Sequence, residues 1–391
     1  MGFSARASDD PALLTPPLTP PLTRSISMCN TRVIPPECDT CRCEDGYWEA
    51  VTSPDERKSL CDEHFRCSVD YGNSEPVITW RPPGPSPAAA PHVHDDQTSG
   101  YLTTKEQICA SLVDQGLVDL IFIGDSQMRH VSQAVMALLT GDYRSGGVVG
   151  SRRNHTECWY DKQLEAQCRL YYVRKLRVCN NSVMLTYAAH NNIDNLGEVG
   201  MKHFKVNMIA NLHEKMKQHL KSPESVPMPV YFLLFGNHPV TPRSSSRKGV
   251  NNATAVWEHL QDMLMREAHN CSSTFSNGED VNSNTNGVVS WPIWWISTHH
   301  RLKSFNADES DKRVQGFNEQ MRNFVEQSQS QQHSCQPRLR GFIDVYNLTA
   351  QLVHQFPKAT NKLSLDYAHW GYSVNLIKAV HIFNRILGTS S

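Results

Sequence analysis

Ser126, in Gly124-Asp125-Ser126, and the pair Asp366 and His369, in Asp366-Tyr367-Ala368-His369-Trp370, are the side chains from which covalent chemistry can be built. A serine hydroxyl is a weak nucleophile until a base stands within hydrogen-bond reach and a third group orients that base. Three residues apart, Asp366 and His369 can share one turn, the carboxylate holding one imidazole nitrogen while the other faces Ser126. Such a set attacks a carbonyl carbon and forms an acyl-serine. The tetrahedral oxyanion then needs donors. Candidates are the Ser126 N–H, a glycine N–H from Gly146, Gly147 or Gly236, and the Asn237 side chain. Asp125 is expected to brace the turn. Arg129, one turn further on, either steadies the site or makes a structural ion pair. His238, His299 and His300 read as wall or capping residues, and Asp344 as a cap or brace at the end of its strand. Trp291, Trp294 and Trp295 read as core rather than sugar-stacking platforms.

These residues need a scaffold, and the pattern around Ser126 supplies one. Leu117 to Ile123 is an apolar, branched run that reads as a buried strand, punctuated by Gly124. Val131, Ala134, Val135, Leu138 and Leu139 then form one helical stripe. Ser126 thus falls on a strand–turn–helix junction, where open α/β sheets bind ligands and where helix N–H groups favour an oxyanion. Upstream, a Thr103/Glu106 capping box predicts a helix to Gln115. Downstream, strands are expected at 168–174, 183–188, 230–235, 294–297 and 341–345. Helices are expected near 202–220 and 253–268, around Val314 to Val325, and from Tyr372 to Leu387. Residues 272–288, rich in Ser, Asn and Gly, read as a mobile insertion. Alternating strands and helices predict an α/β domain over residues 100–391, a mostly parallel sheet covered on both faces.

The remainder of the chain is of a different character. Residues 1–28, with repeated Leu-Thr-Pro-Pro, read as a disordered tail. Residues 29–99 form a small cysteine-rich module and a Pro-rich connection, with Trp48, Phe65 and Trp80 as anchors. Cys38-x-x-Cys41 lacks a matching second half, so disulfides are expected there rather than zinc. His92-x-His94 reads as a solvated loop. No metal or bound cofactor is expected.

With 391 residues and 39% hydrophobic content, the chain can bury a sizeable core, and its net charge of -1 gives no attraction to nucleic acid. Twelve cysteines and five N-x-[ST] sequons, at Asn154, Asn180, Asn252, Asn270 and Asn347, point to an oxidising, glycosylating compartment. The first 28 residues hold no secretory h-region, so membrane attachment is expected only through an anchor absent from this sequence.

Gly124-Asp125-Ser126 with Asp366-x-x-His369 resembles the SGNH/GDSL hydrolase superfamily, and Gly-Asp-Ser-x-x-Arg129 its PC-esterase branch. Cys43…Gly46-x-Trp48…Cys61…Phe65-x-Cys67…Trp80-Arg81-Pro82 resembles the module that precedes that domain in plant trichome-birefringence-like proteins. Asp366-x-x-His369-Trp370, Phe235-Gly236-Asn237-His238 and Trp295-x-Ser297-x-x-His300 are similar to that family's Asp-Cys-x-His-Trp, Asn-Thr-Gly-His and Ser-Pro-x-His segments. Tyr367 stands where that family has cysteine, and no cysteine follows Pro82. The resemblance implies a three-layer SGNH-like fold and a Golgi polysaccharide O-acetyltransferase. In it Ser126 is the nucleophile, His369 the base and Asp366 its orienter. Gly124, Asp125, Arg129, Gly236, Asn237 and His238 would support the site. The substrates would be an acetyl donor such as acetyl-CoA and a polysaccharide or oligosaccharide. An esterase using the same residues and a non-catalytic glycan-binding protein are the alternatives.

Overall fold

A computed structural model of the chain describes residues 47–51, 55, 77–81, 102, 104–143, 147, 174–190, 199–201, 204–206, 208–222, 227–235, 253–274, 290–301, 307–330, 338–357, 360, 363–364 and 369–388. In chain order the strands are β1 (Tyr47–Val51), β2 (Val77–Arg81), β3 (Asp119–Gly124), β4 (Lys175–Val178), β5 (Val183–Ala189), β6 (Val199–Met201), β7 (Phe204–Val206), β8 (Val230–Leu234), β9 (Ser290–Ile296) and β10 (Arg338–Ile343). The helices are α1 (Lys105–Asp114), α2 (Ser126–Thr140), α3 (Met208–Lys221), α4 (Ala253–Thr274), α5 (Ala307–Ser330), α6 (Val345–Gln355) and α7 (Tyr372–Ile386).

Six strands form the central sheet in the order β10-β9-β8-β3-β5-β4. All neighbours are parallel except the edge strand β4, which returns antiparallel to β5. The period-2 alternation of a strand assigns β3 to both halves of the core. Leu120 and Phe122 pack with α1, α2 and α7, while Ile121 and Ile123 pack with α3, α4 and α5. The protein is therefore an α/β structure with a mostly parallel sheet between two helical layers. Chain direction reverses at β3: the chain continues to β5 on one side and later runs β8, β9, β10 on the other. The crevice between the carboxyl ends of β3 and β8 is the switch point where open sheets bind ligands.

Several expected elements shift. Helix α1 is capped by Thr104 with Gln107, one residue beyond the Thr103/Glu106 box, because the Thr104 hydroxyl accepts the Gln107 N–H and the Gln107 amide the Thr104 N–H. The helix expected from 202 begins at Met208, since Phe204–Val206 pairs with Val199–Met201 as a hairpin. Helix α4 runs to Thr274 and so takes in the start of the expected insertion; residues 275–288 lie outside the described residues. Of the strand expected at 168–174, residues 168–173 lie outside the described residues and Arg174 is a bend leading into β4. The sequence pattern missed α6, whose start is set by Asp344: its carboxylate caps the Asn347 N–H at 3.0 Å.

Within the segment 29–99, the antiparallel pair of β1 and β2 is described, with Trp48 and Trp80 opposite each other in register. Its cysteines, the tail 1–28 and His92 and His94 lie outside the described residues. A disulfide joins Cys109 of α1 to Cys179 in the β4–β5 turn, closing a separation of 70 residues. Among the described residues no helix is long and apolar enough to cross a membrane.

Candidate active site

Ser126 is the first residue of α2, at the carboxyl end of the central strand. The turn that presents it depends on Gly124. A Cβ there would stand 2.2 Å from the Leu234 carbonyl oxygen and 2.8 Å from the Met128 Cβ, so a side chain would prise β3 from β8 or α2 from the sheet. Asp125 is buried and caps α2, its carboxylate accepting the Gln127 N–H at 2.9 Å. Its own N–H donates to the Leu234 carbonyl at 3.4 Å. From the other side, the Tyr187 hydroxyl points at the Gly124 and Asp125 carbonyls at 3.3 and 3.2 Å. The His190 N–H donates to the Gly124 carbonyl at 2.8 Å. The turn is thus tied to both neighbouring strands. As a first-turn residue Ser126 has a backbone N–H without an intrahelical acceptor, at the positive end of the helix dipole.

His369 meets Ser126 from the other end of the chain. Its Nε2 lies 2.7 Å from the Ser126 Oγ, across a separation of 243 residues. That distance suits transfer of the hydroxyl proton to an imidazole base. A hydroxyl donating to Nε2 requires the tautomer with its proton on Nδ1, the nitrogen that an orienting carboxylate holds in a triad. Both side chains are half-buried, so the pair is reachable from solvent. Asp366, the expected orienter, lies outside the described residues, as do Gly146, Gly236, Asn237 and His238. Gly147 competes poorly as an oxyanion donor. It packs on Gln133, where a Cβ would meet the backbone carbonyl at 2.9 Å, two helical turns beyond Ser126.

His130, unnoticed in the sequence, stands beside the pair, its ring centroid 5.2 Å from that of His369. Arg129 points a guanidinium nitrogen at His130 Nε2 at a long 3.5 Å. A guanidinium only donates, so this contact favours the His130 tautomer that leaves Nε2 unprotonated. The signal available was position: His130 and Arg129 lie one helical turn past Ser126.

The segment after β9 forms a buried shelf that meets Trp370, the residue after His369, through the His300 carbonyl. Ser297 accepts the Val345 and Tyr346 N–H groups at 2.8 and 2.9 Å, helping Asp344 to start α6. Asp344 also pairs with Arg322, a brace at the end of β10. Thr298 exchanges two hydrogen bonds with Asn318 of α5, and the His300 N–H donates to Thr349 of α6. The His300 Nε2 sits 3.1 Å from Asp311, which also accepts the Tyr346 hydroxyl and the Arg301 N–H. Burial works to raise the Asp311 carboxyl, but the His300 contact and these donors outweigh it and hold it below the usual range. The neighbouring Tyr346 phenol is pushed far up, by burial first and then by the Asp311 charge. The His299 Nδ1 is hydrogen-bonded to the Lys378 Nζ of α7 at 2.9 Å. His299 and His300 are therefore wall residues of the shelf.

Trp291 and Trp295 are core, and Trp294 packs over Gly341, whose missing Cβ leaves room for the indole. Two cavities among the described residues, one at the amino ends of the strands around Gly116 and Met228, the other beside Arg322 and Arg385, are lined by neither Ser126 nor His369. Among the described residues no group of three His, Cys, Asp or Glu side chains is arranged for a metal ion. No protein-family model, curated protein or solved structure matches the chain.

Proposed function

We propose that this protein is an SGNH-type acyl-serine enzyme that transfers an acetyl group to a glycan hydroxyl. The observation that carries the reading is the 2.7 Å contact of Ser126 Oγ with His369 Nε2 at the switch point of the sheet. A buried structural serine has no need of a half-exposed imidazole at that place.

In the first half-reaction the Ser126 oxygen bonds to the carbonyl carbon of the acetyl donor as His369 Nε2 takes its proton. The Ser126 N–H, at the head of α2, donates to the oxyanion. Collapse breaks the bond to the leaving group, an alcohol or a thiol, which takes the proton back from His369. In the second half a sugar hydroxyl gives its proton to His369 and attacks the acyl-serine. The ester bond to Ser126 breaks, and His369 returns the proton to the serine oxygen. Asp366 is assigned to hold Nδ1 of His369 throughout. Arg129 steadies the site from one turn along α2, and Gly236, Asn237 and His238 are assigned to the oxyanion and acceptor side on the motif resemblance. The Cys109–Cys179 bridge supports a secretory-pathway location, where luminal glycans are the acceptors.

The test incubates the purified chain with a chromogenic acetyl ester or acetyl-CoA, with and without xylo- or manno-oligosaccharides, beside Ser126→Ala. Acetylated sugar that depends on Ser126 is the expected product. Rapid ester loss indifferent to sugar would replace transfer by hydrolysis, since only exclusion of water from the acyl-serine separates the two. Equal inactivity of the wild type and Ser126→Ala would leave a glycan-binding protein.

A further inference from the structure

Helix α7 carries a lysine where a lysine is costly. Lys378 is fully buried, and burial pushes its ammonium well below the ordinary lysine range. Such groups persist where they satisfy other buried polar atoms. The Lys378 Nζ donates to the Asn375 Oδ1 at 3.2 Å and shares a hydrogen bond with the His299 Nδ1 at 2.9 Å. With its oxygen so engaged, the Asn375 amide turns both hydrogens toward the backbone, to the Trp370 carbonyl at 2.8 Å and the Gly371 carbonyl at 2.9 Å. A flipped amide would set its oxygen against two carbonyl oxygens and leave Lys378 facing an NH₂ group. The ring closes through the Trp370 indole N–H, which donates to the His300 carbonyl at 3.2 Å, next to His299. His299, His300, Trp370, Asn375 and Lys378 are all at least nine-tenths buried.

This ring clamps the two residues that follow His369. Beyond it, residue 370 makes a lone antiparallel bridge to Ser364 and Gly371 donates to the Leu363 carbonyl at 2.7 Å. His369 itself lies in no helix or strand, so its reach to Ser126 is set by how firmly Trp370 and Gly371 are held.

We infer that Lys378 and Asn375 are positioning residues for His369, holding its backbone through a buried hydrogen-bond ring so that its imidazole meets Ser126. The inference rests on the acyl-serine reading. Lys378→Met keeps the bulk of the side chain and removes its donors; Asn375→Asp leaves Lys378 an acceptor while removing both hydrogens aimed at the Trp370 and Gly371 carbonyls. Each variant is measured for melting temperature, for kcat and KM on a chromogenic acetyl ester, and for the rate at which a fluorophosphonate labels Ser126. Both should fold with a lowered melting temperature, as buried polar groups lose their partners, hold KM within about twofold at a temperature where each is fully folded, and lose about tenfold to hundredfold in kcat and labelling rate together, the scale of a catalytic group displaced by about 1 Å. Folded variants that label as fast as wild type would overturn the inference while leaving the acyl-serine intact. Should Lys378→Met fail to fold, Asn375→Asp decides by the same criteria. A wild type that takes no label at Ser126 would remove the acyl-serine reading and this inference with it.

Discussion

At the scale of single residues, the site depends on one absent side chain and one shared proton. Gly124 lets β3, β8 and α2 converge behind Ser126, and Gly124→Ala forces a methyl group into the Leu234 carbonyl. Overpacking of this kind costs about 1–3 kcal/mol or more, read as a lower denaturation midpoint, and ester turnover should fall with it. An unchanged midpoint would show that the turn can relax elsewhere. His369→Ala removes the imidazole that lies 2.7 Å from the Ser126 Oγ and should cut kcat about 10⁴- to 10⁶-fold with the melting temperature nearly unchanged, because the ring is half-exposed. Ser126 and His369 were legible because their neighbours, a glycine before and a carboxylate three residues earlier, are written next to them in the chain. Lys378, Asn375 and His130 were not. A lysine on a helix is usually solvated, and only the burial of every side of α7 reveals what it contacts.

At the scale of elements, the shelf after β9 binds three helices through side-chain caps and one acid. Asp311 is held low in the folded chain and ordinary in the unfolded one, so the unfolded state binds more protons between the two values and stability rises with pH there. The contribution is complete above about pH 5 and is lost as pH falls below about 4. Asp311→Asn should therefore be about 1–3 kcal/mol less stable than wild type at pH 7, with the gap narrowing as the pH is lowered through that window. A gap constant from pH 7 to pH 3 would contradict the pairing with His300, Tyr346 and Arg301. Long elements with apolar periodicity, such as α2 and α5, were readable in the chain. The start of α6 was not, because Asp344 looked like the end of a strand and its cap is shared with Ser297, 47 residues earlier. The one-residue shift at α1 has a similar origin: Thr103 and Thr104 are both capping residues, and the reciprocal bond with Gln107 decides between them.

At the scale of the molecule, β3 is the axis. Its two faces feed the two cores, and its carboxyl end meets His369 from the far end of the chain. The alternation of strands and helices predicted this layering. The order of the strands was not in the pattern, since it depends on which crossover passes which face. The Cys109–Cys179 bridge staples α1 to the β4–β5 edge, and closing 70 residues stabilises by about 4 kcal/mol in the chain-entropy account. Cys109→Ser with Cys179→Ser should lower the melting temperature by roughly 10 °C and leave Ser126 chemistry intact; an unchanged melting curve would show that the bridge adds nothing to the fold. The central claim, that Ser126 is a nucleophile served by His369, is tested most directly by treating the intact chain with a fluorophosphonate and locating the adduct by peptide mass spectrometry. A single stoichiometric adduct on Ser126, lost in Ser126→Ala and strongly slowed in His369→Ala, is the predicted result. No adduct, or one whose rate is indifferent to His369, would contradict it.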